Sequence, residues 1–181
     1  MNHKHRTPKK LPVGTSDFRK LRENNYHYVD KSYFIRDIID DSAEVLLIPR
    51  PRRFGKTLNL SMLRYFFEKS GEDHRTLFDG LAICNDELFE AYQGKYPVIY
   101  MTFKDVKHRE WPGCLAMMAS VIYKEYARHR YLLESDLLFP DEKMYIQRIL
   151  DGKYRQTDHE WSLGNLSAYL RRYHNERAVI L

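Results

Sequence analysis

The feature that most constrains the fold is a short apolar run, Val45-Leu46-Leu47-Ile48, which Pro49 ends. Such a run is typical of a central parallel strand that is covered on both faces. Beyond this run, apolar residues recur at helical spacing, which predicts a helix that stops near Gly71. These residues are Leu60, Met62, Leu63, Phe66 and Phe67. The sequence therefore predicts a strand, a loop and a helix as one βα unit.

The rest of the chain alternates between helical and extended patterns. Ser16 begins a short helical turn, and Asp30 can cap a helix with apolar residues on one face. The further segments are a strand at 98–103, helical stretches at 111–133, 141–150 and 161–173, and a buried strand at 178–181. Strands that alternate with helices predict an α/β sandwich with a mainly parallel sheet.

Composition indicates a soluble globular chain whose positive charge is unevenly placed. Its 181 residues are 43% hydrophobic and carry a formal net charge of +5. The segment through Arg22 holds seven Lys and Arg residues against Asp17, so this arm is +6 and the remainder is −1. The arm is interpreted as a solvated leader or as a tethered contact to nucleic acid or a protein partner.

The cysteines and the apolar runs indicate a compartment. Cys84 and Cys114 have no partners at metal-ligand spacing, which favours a reducing environment over a disulfide framework. No apolar run approaches the length of a membrane span, and the basic N-terminus lacks the apolar core of a signal peptide. We expect a cytoplasmic protein without a membrane association.

The loop after the first predicted strand resembles half of a phosphate-binding motif. The pattern G-x-x-x-x-G-K-[ST] corresponds to residues 50–57, where Arg50 stands in place of the first Gly. Gly55 lets the backbone approach a phosphate, and Lys56 can neutralise the β- and γ-phosphates. The Thr57 hydroxyl can complete a Mg²⁺ shell that is otherwise made of water and phosphate oxygens. This context predicts nucleotide binding.

Several motifs in order resemble the AAA-ATPase-like family of predicted P-loop ATPases, which often carry a C-terminal nuclease-like domain. The motifs are Leu11-Pro12-Val13-Gly14-Thr15-Ser16-Asp17-Phe18, Tyr28-Val29-Asp30-Lys31, Arg50-Pro51-Arg52-Arg53-Phe54-Gly55-Lys56 and Lys95-Tyr96-Pro97-Val98. The resemblance implies a three-layer P-loop sandwich that binds ATP and Mg²⁺. The implied nucleotide-binding residues are Arg50, Pro51, Arg52, Arg53, Phe54, Gly55, Lys56, Thr57 and Leu58, with Thr57 on the metal. The family's loop also has Arg where the usual motif has its first Gly.

The resemblance also gives an expectation for the end of the sequence. In the family, the strand that matches Ala178–Leu181 continues into an acidic Walker B motif that holds Mg²⁺, and this motif lies beyond Leu181. We expect a basic leader at 1–10 and a P-loop domain at 11–181 that is truncated at the Walker B strand. We therefore assign no catalytic residue and expect ATP binding without appreciable hydrolysis. The alternative is a non-hydrolysing module that contacts nucleic acid or protein through its basic arm.

Three other features of the sequence have more than one interpretation. The run Pro140-Asp141-Glu142-Lys143 is similar to nuclease elements, but Pro and acidic residues favour a helix start. Asp105 follows a strand at the edge where open α/β sheets bind ligands, although a turn-forming role is favoured. Tyr26 and Tyr28 precede the first predicted strand and are candidates for an approach to adenine, although core positions are favoured for most of the aromatic residues.

Overall fold

The computed structural model describes residues 9–51 and 53–181, with Gln156 described by its backbone alone. The chain divides into two compact units, Met1–Lys95 and Tyr96–Leu181. The first contains helices α1 (Phe18–Glu23), α2 (Tyr33–Asp40), α3 (Lys56–Phe67) and α4 (Glu87–Tyr92), with 3₁₀ turns at Arg75–Phe78 and Ala82–Asn85. The second contains β1 (Val98–Ile99), α5 (Trp111–Arg128), a 3₁₀ turn at Arg130–Glu134, α6 (Pro140–Leu150), α7 (Gln156–His174) and β2 (Val179–Ile180). The architecture is α/β and mostly helical.

Aromatic side chains fill the core of the first unit. The ring of Phe66 on α3 lies 5.5 Å from Phe78 and 5.8 Å from Phe89 between ring centroids, both edge-on. Phe18 on α1 lies 5.1 Å from Phe78, and its amide donates to Ser61 Oγ at 2.9 Å. The predicted apolar stripe of α3 is therefore confirmed as core, and it fixes the position of the helix whose first residue is Lys56.

The predicted strand at residues 45–48 is wrong in this structure. The segment is irregular, and Val45 and Leu47 are 85% and 88% exposed. A strand needs a neighbouring strand to take its backbone hydrogen bonds, and the described residues of the first unit form no strand. Apolar composition alone could not supply that partner.

Asp30 differs from its predicted role as a helix cap. Ser32 is the N-cap of α2, and its side chain makes no capping bond. The Asp30 carboxylate instead accepts from the Ser32 amide and from the Ala82 amide, each at 2.8 Å. Asp30 thus joins the segment before α2 to the second 3₁₀ turn. The Tyr28 ring lies edge-on to Phe18, and its hydroxyl donates to Met62 Sδ at 3.3 Å.

The second unit pairs the two strands in parallel, as the sequence predicted. Val98 is opposite Val179 and Ile99 is opposite Ile180, and the Met101 amide extends the ladder by donating to the Leu181 carbonyl at 3.0 Å. β1 covers Val98–Ile99 and is shorter than the strand predicted at 98–103. Helices α5, α6 and α7 pack around a shared core of Tyr126, Leu132, Ile146, Ile149, Leu166 and Leu170. The helix start at Pro140 is confirmed, with Glu142 accepting from the Phe139 amide at 2.8 Å.

Charged side chains of α5 close the edge of β1 that faces away from β2. The Tyr100 amide donates to Glu125 Oε1 at 2.9 Å, while Arg128 and His129 reach the Val98 carbonyl at 3.3 and 3.2 Å. Arg128 also donates to both Glu125 oxygens at 2.7 Å. Burial raises the pKa of Glu125, but the His129 hydrogen bond and the Arg128 charge outweigh it, so the pKa lies below its ordinary value. Side chains take the place of a further strand at this edge.

Candidate phosphate-binding site

The backbone turns sharply into α3 at Gly55. Gly55 is the N-cap in the left-handed region, with φ 73° and ψ 19°, and Arg53 also has a positive φ of 69°. A Cβ added at Gly55 would meet nothing within 4 Å. Glycine is therefore favoured here by its backbone conformation, because an L side chain raises the energy of the left-handed region.

Four backbone donors at the helix start have no acceptor among the described residues. In the part of the chain that the structure describes, the amides of Gly55, Lys56, Thr57 and Leu58 donate to no protein acceptor, and the first amide bonded into the helix is that of Asn59, to the Gly55 carbonyl at 2.9 Å. No side chain caps α3. Free amides and the positive end of the helix dipole together attract anions.

Lys56 folds back over the loop that precedes it. Its Nζ donates to the Arg50 carbonyl at 2.5 Å, and its side chain is exposed. The bond joins the two ends of the 50–56 loop. Arg50 was predicted as part of the motif, but the hydrogen bond from Lys56 to its carbonyl was not.

The Arg50 side chain leaves the loop and lies against α2. Its guanidinium carbon is 5.3 Å from the centroid of the Phe34 ring, a cation–π arrangement. Phe34 and Arg50 line a cavity of about 70 Å³ together with Ile48, Lys56, Asn59 and Leu60. Asn59 is 5% exposed, and its side chain has no hydrogen bond to any described residue. The sequence analysis did not predict Phe34 or Asn59 as part of the site, although Asn59 lies one helical turn beyond Lys56.

The remaining predicted residues take different positions around the loop. Pro51, Arg53 and Phe54 are exposed, Thr57 and Leu58 are half-buried, and Arg52 lies outside the described residues. The Thr57 hydroxyl makes no hydrogen bond with the described part of the chain. Among those same residues, no three His, Cys, Asp or Glu side chains are grouped so as to hold a metal ion.

A match to a known protein family covers most of the chain. A family model described as Predicted AAA-ATPase, AAA-ATPase-like, matches residues 12–181. The chain belongs to this AAA-ATPase-like family. The match includes the loop at Gly55 and both strands of the second unit, so the resemblance inferred from the motifs is confirmed.

One curated relative gives a partial match. An uncharacterized protein in the vnfD 5′ region of Azotobacter chroococcum mcd 1 is 38% identical over 96 residues, which is 52% of this chain. The match spans 17% of that relative's length. No solved structure matches the chain.

None of the described helices of this AAA-ATPase-like chain is both long and apolar enough to cross a bilayer.

Proposed function

We propose that this AAA-ATPase-like chain binds ATP with Mg²⁺ through the loop at residues 50–58. The observation that carries the proposal is the set of four amides, at Gly55, Lys56, Thr57 and Leu58, that have no acceptor among the described residues. They open a 12-residue helix, so the amides and the helix dipole act together on a bound anion. Membership of a family of predicted ATPases supports a nucleoside triphosphate as that anion.

In this proposal the triphosphate replaces the Arg50 carbonyl as the partner of Lys56. The Lys56–Arg50 bond keeps the ammonium within reach of the loop before the ligand arrives. A phosphate oxygen is the stronger acceptor because its negative charge attracts the ammonium directly, whereas the Arg50 carbonyl is neutral. Lys56 therefore moves from closing the loop to neutralising the β- and γ-phosphates.

Mg²⁺ would be held by the Thr57 hydroxyl together with phosphate and water oxygens. Mg²⁺ keeps several waters and takes few protein ligands in nucleotide sites. Thr57 suits this role because its hydroxyl is not engaged by another described residue. The three-layer sandwich of the family and the absence of appreciable hydrolysis by residues 1–181 stay predictions.

Thermal unfolding with and without ATP and Mg²⁺ tests the proposal. A ligand at a hundred times its Kd stabilises the native state by about 2.7 kcal/mol, which raises the Tm of a chain of this size by roughly 5 °C or more. We expect that rise in the natural sequence and its loss in Lys56→Ala.

Lys69→Ala is the matched control, because this exposed lysine follows the other end of α3. It should keep the full rise in Tm. An equal rise in the Lys56→Ala variant would show that the nucleotide binds elsewhere.

A further inference from the structure

The loop between β1 and α5 is a second candidate surface for ligand binding. We call residues Phe103–Trp111 the aromatic–basic loop. Its first and last residues are aromatic and unusually open to solvent, with Phe103 54% exposed and Trp111 68% exposed. Large aromatic side chains are normally buried to a greater extent, and an exposed pair at the two ends of one loop offers two flat apolar faces to a ligand.

Cations occupy the loop between the two rings. Lys104, Lys107 and Arg109 are all exposed, and none forms an ion pair with a carboxylate of the described residues. The loop also carries Asp105 and Glu110, so its formal charge is +1 with His108 neutral. Three unpaired cations are therefore available to an anionic ligand.

The loop is held in a defined shape. The Val106 amide donates to the Phe103 carbonyl at 3.0 Å, and the Glu110 amide donates to His108 Nδ1 at 3.2 Å. The His108 ring also lies over Gly113, where an added Cβ would come within 2.1 Å of its Cγ. This order lowers the conformational entropy that binding would otherwise cost.

The surface beside the cations is wide and open. A depression of about 700 Å³ is lined by Lys107, His108, Arg109 and Glu110. An open surface with exposed cations suits an extended chain of phosphates that lies across it. The shape, the charge and the flanking rings thus favour the same class of ligand.

We propose that the aromatic–basic loop binds single-stranded nucleic acid. Unpaired bases expose π faces that can stack on Phe103 and Trp111, and the phosphates between them can contact the three cations. In a duplex the bases are stacked on one another and do not present those faces. The aromatic–basic loop belongs to the second unit and shares no residue with the phosphate loop, so the proposal does not rest on the proposed ATP binding.

Fluorescence anisotropy of a labelled oligothymidine tests the role of the rings, with the full chain as the binding protein. Loss of the stacking of one base should make Trp111→Ala weaken binding by about 5-fold to 150-fold. Trp161→Ala is the matched control, since Trp161 lies on α7 of the same unit and is 64% exposed. It should leave the affinity unchanged, and circular dichroism should show both variants folded.

Salt dependence tests the cations. Three phosphate contacts to a single strand give a slope of log K against log salt of about −2, at roughly −0.7 per contact. The double variant Lys104→Gln/Lys107→Gln should reduce the slope to about −0.7. Arg130→Gln/Arg171→Gln removes two exposed cations of the same unit and should not change it.

Three results would overturn the proposal. They are absence of oligothymidine binding, equal losses in the Trp111 and Trp161 variants, and binding of duplex as tight as single strand with no effect of Trp111→Ala. Loss of binding in Lys9→Gln/Lys10→Gln, with the loop variants unaffected, would also overturn it by assigning the contact to the N-terminal arm.

Discussion

Replacement of Glu125 by Gln should destabilise the second unit by removing the charge that closes the edge of β1. Glu125 is 3% exposed and accepts hydrogen bonds from the Tyr100 amide, Arg128 and His129. Removal of one partner of a buried ion pair costs about 3–5 kcal/mol. Gln keeps an oxygen that can still accept from the Tyr100 amide, so we expect the lower end, about 3 kcal/mol.

The pH dependence follows from the direction of the pKa. Because the pKa of Glu125 is below its ordinary value in the folded protein, its contribution is present above the unfolded pKa and is lost as pH falls through the folded pKa. The free energy of unfolding should therefore differ most between natural sequence and Glu125→Gln at neutral pH. The two should converge in acid, below the ordinary Glu pKa of about 4.3.

Urea unfolding measures this difference. The second unit holds α5, α6 and α7, which contain most of the helical residues that the structure describes, so circular dichroism reports its unfolding. Glu134→Gln is the control, because Glu134 is exposed in the same unit. A Glu125→Gln variant within about 0.5 kcal/mol of the natural sequence at pH 7, the usual range of surface substitutions, would refute the reasoning.

Two further substitutions have defined outcomes. Gly55→Ala should cost about 1–2 kcal/mol in urea unfolding, since the left-handed φ of 73° is strained for Ala while its Cβ meets no atom within 4 Å; an unchanged stability would contradict that conformation. Asp158→Asn should cost roughly 3 kcal/mol at neutral pH, because Asp158 accepts from Arg148 at 2.8 and 3.1 Å. The Arg148 hydrogen bonds lower the pKa of Asp158, so this loss should disappear in acid below the ordinary Asp pKa of about 3.9, as thermal unfolding from pH 7 to pH 2 would show.

Local patterns predicted much of the helical structure and the family. The stripe along α3 and the Pro-Asp-Glu start of α6 depend on neighbouring residues of the sequence, and the structure confirms both. The parallel pairing of β1 with β2 also follows from alternation of strands and helices. Such features are local or topological, so a pattern along the chain contains them.

Features that depend on distant partners could not be predicted. The apolar run 45–48 has the composition of a buried strand, yet pairing requires a neighbour that composition does not specify. The contact of Arg50 with Phe34 joins α2 to the loop across a tertiary distance. Phe103 has strong strand propensity, but the ladder ends before it and leaves the ring exposed.

Binding through the N-terminal arm stays a prediction as well. Lys9 and Lys10 are exposed, and the Lys10 carbonyl accepts from the His27 amide at 2.8 Å. Residues 1–8, which carry part of the arm's charge, lie outside the described residues. The arm variants used with the oligothymidine separate this contact from the aromatic–basic loop.

Calorimetric titration of ATP with Mg²⁺ into the natural sequence, Lys56→Ala and Lys69→Ala tests the central claim most directly. The account predicts one binding site in the natural sequence and in Lys69→Ala. It predicts a loss of at least tenfold in affinity in Lys56→Ala, because the ammonium contacts the phosphates with a charge-assisted hydrogen bond. Absence of binding by the natural sequence, or equal affinity in Lys56→Ala, would contradict it.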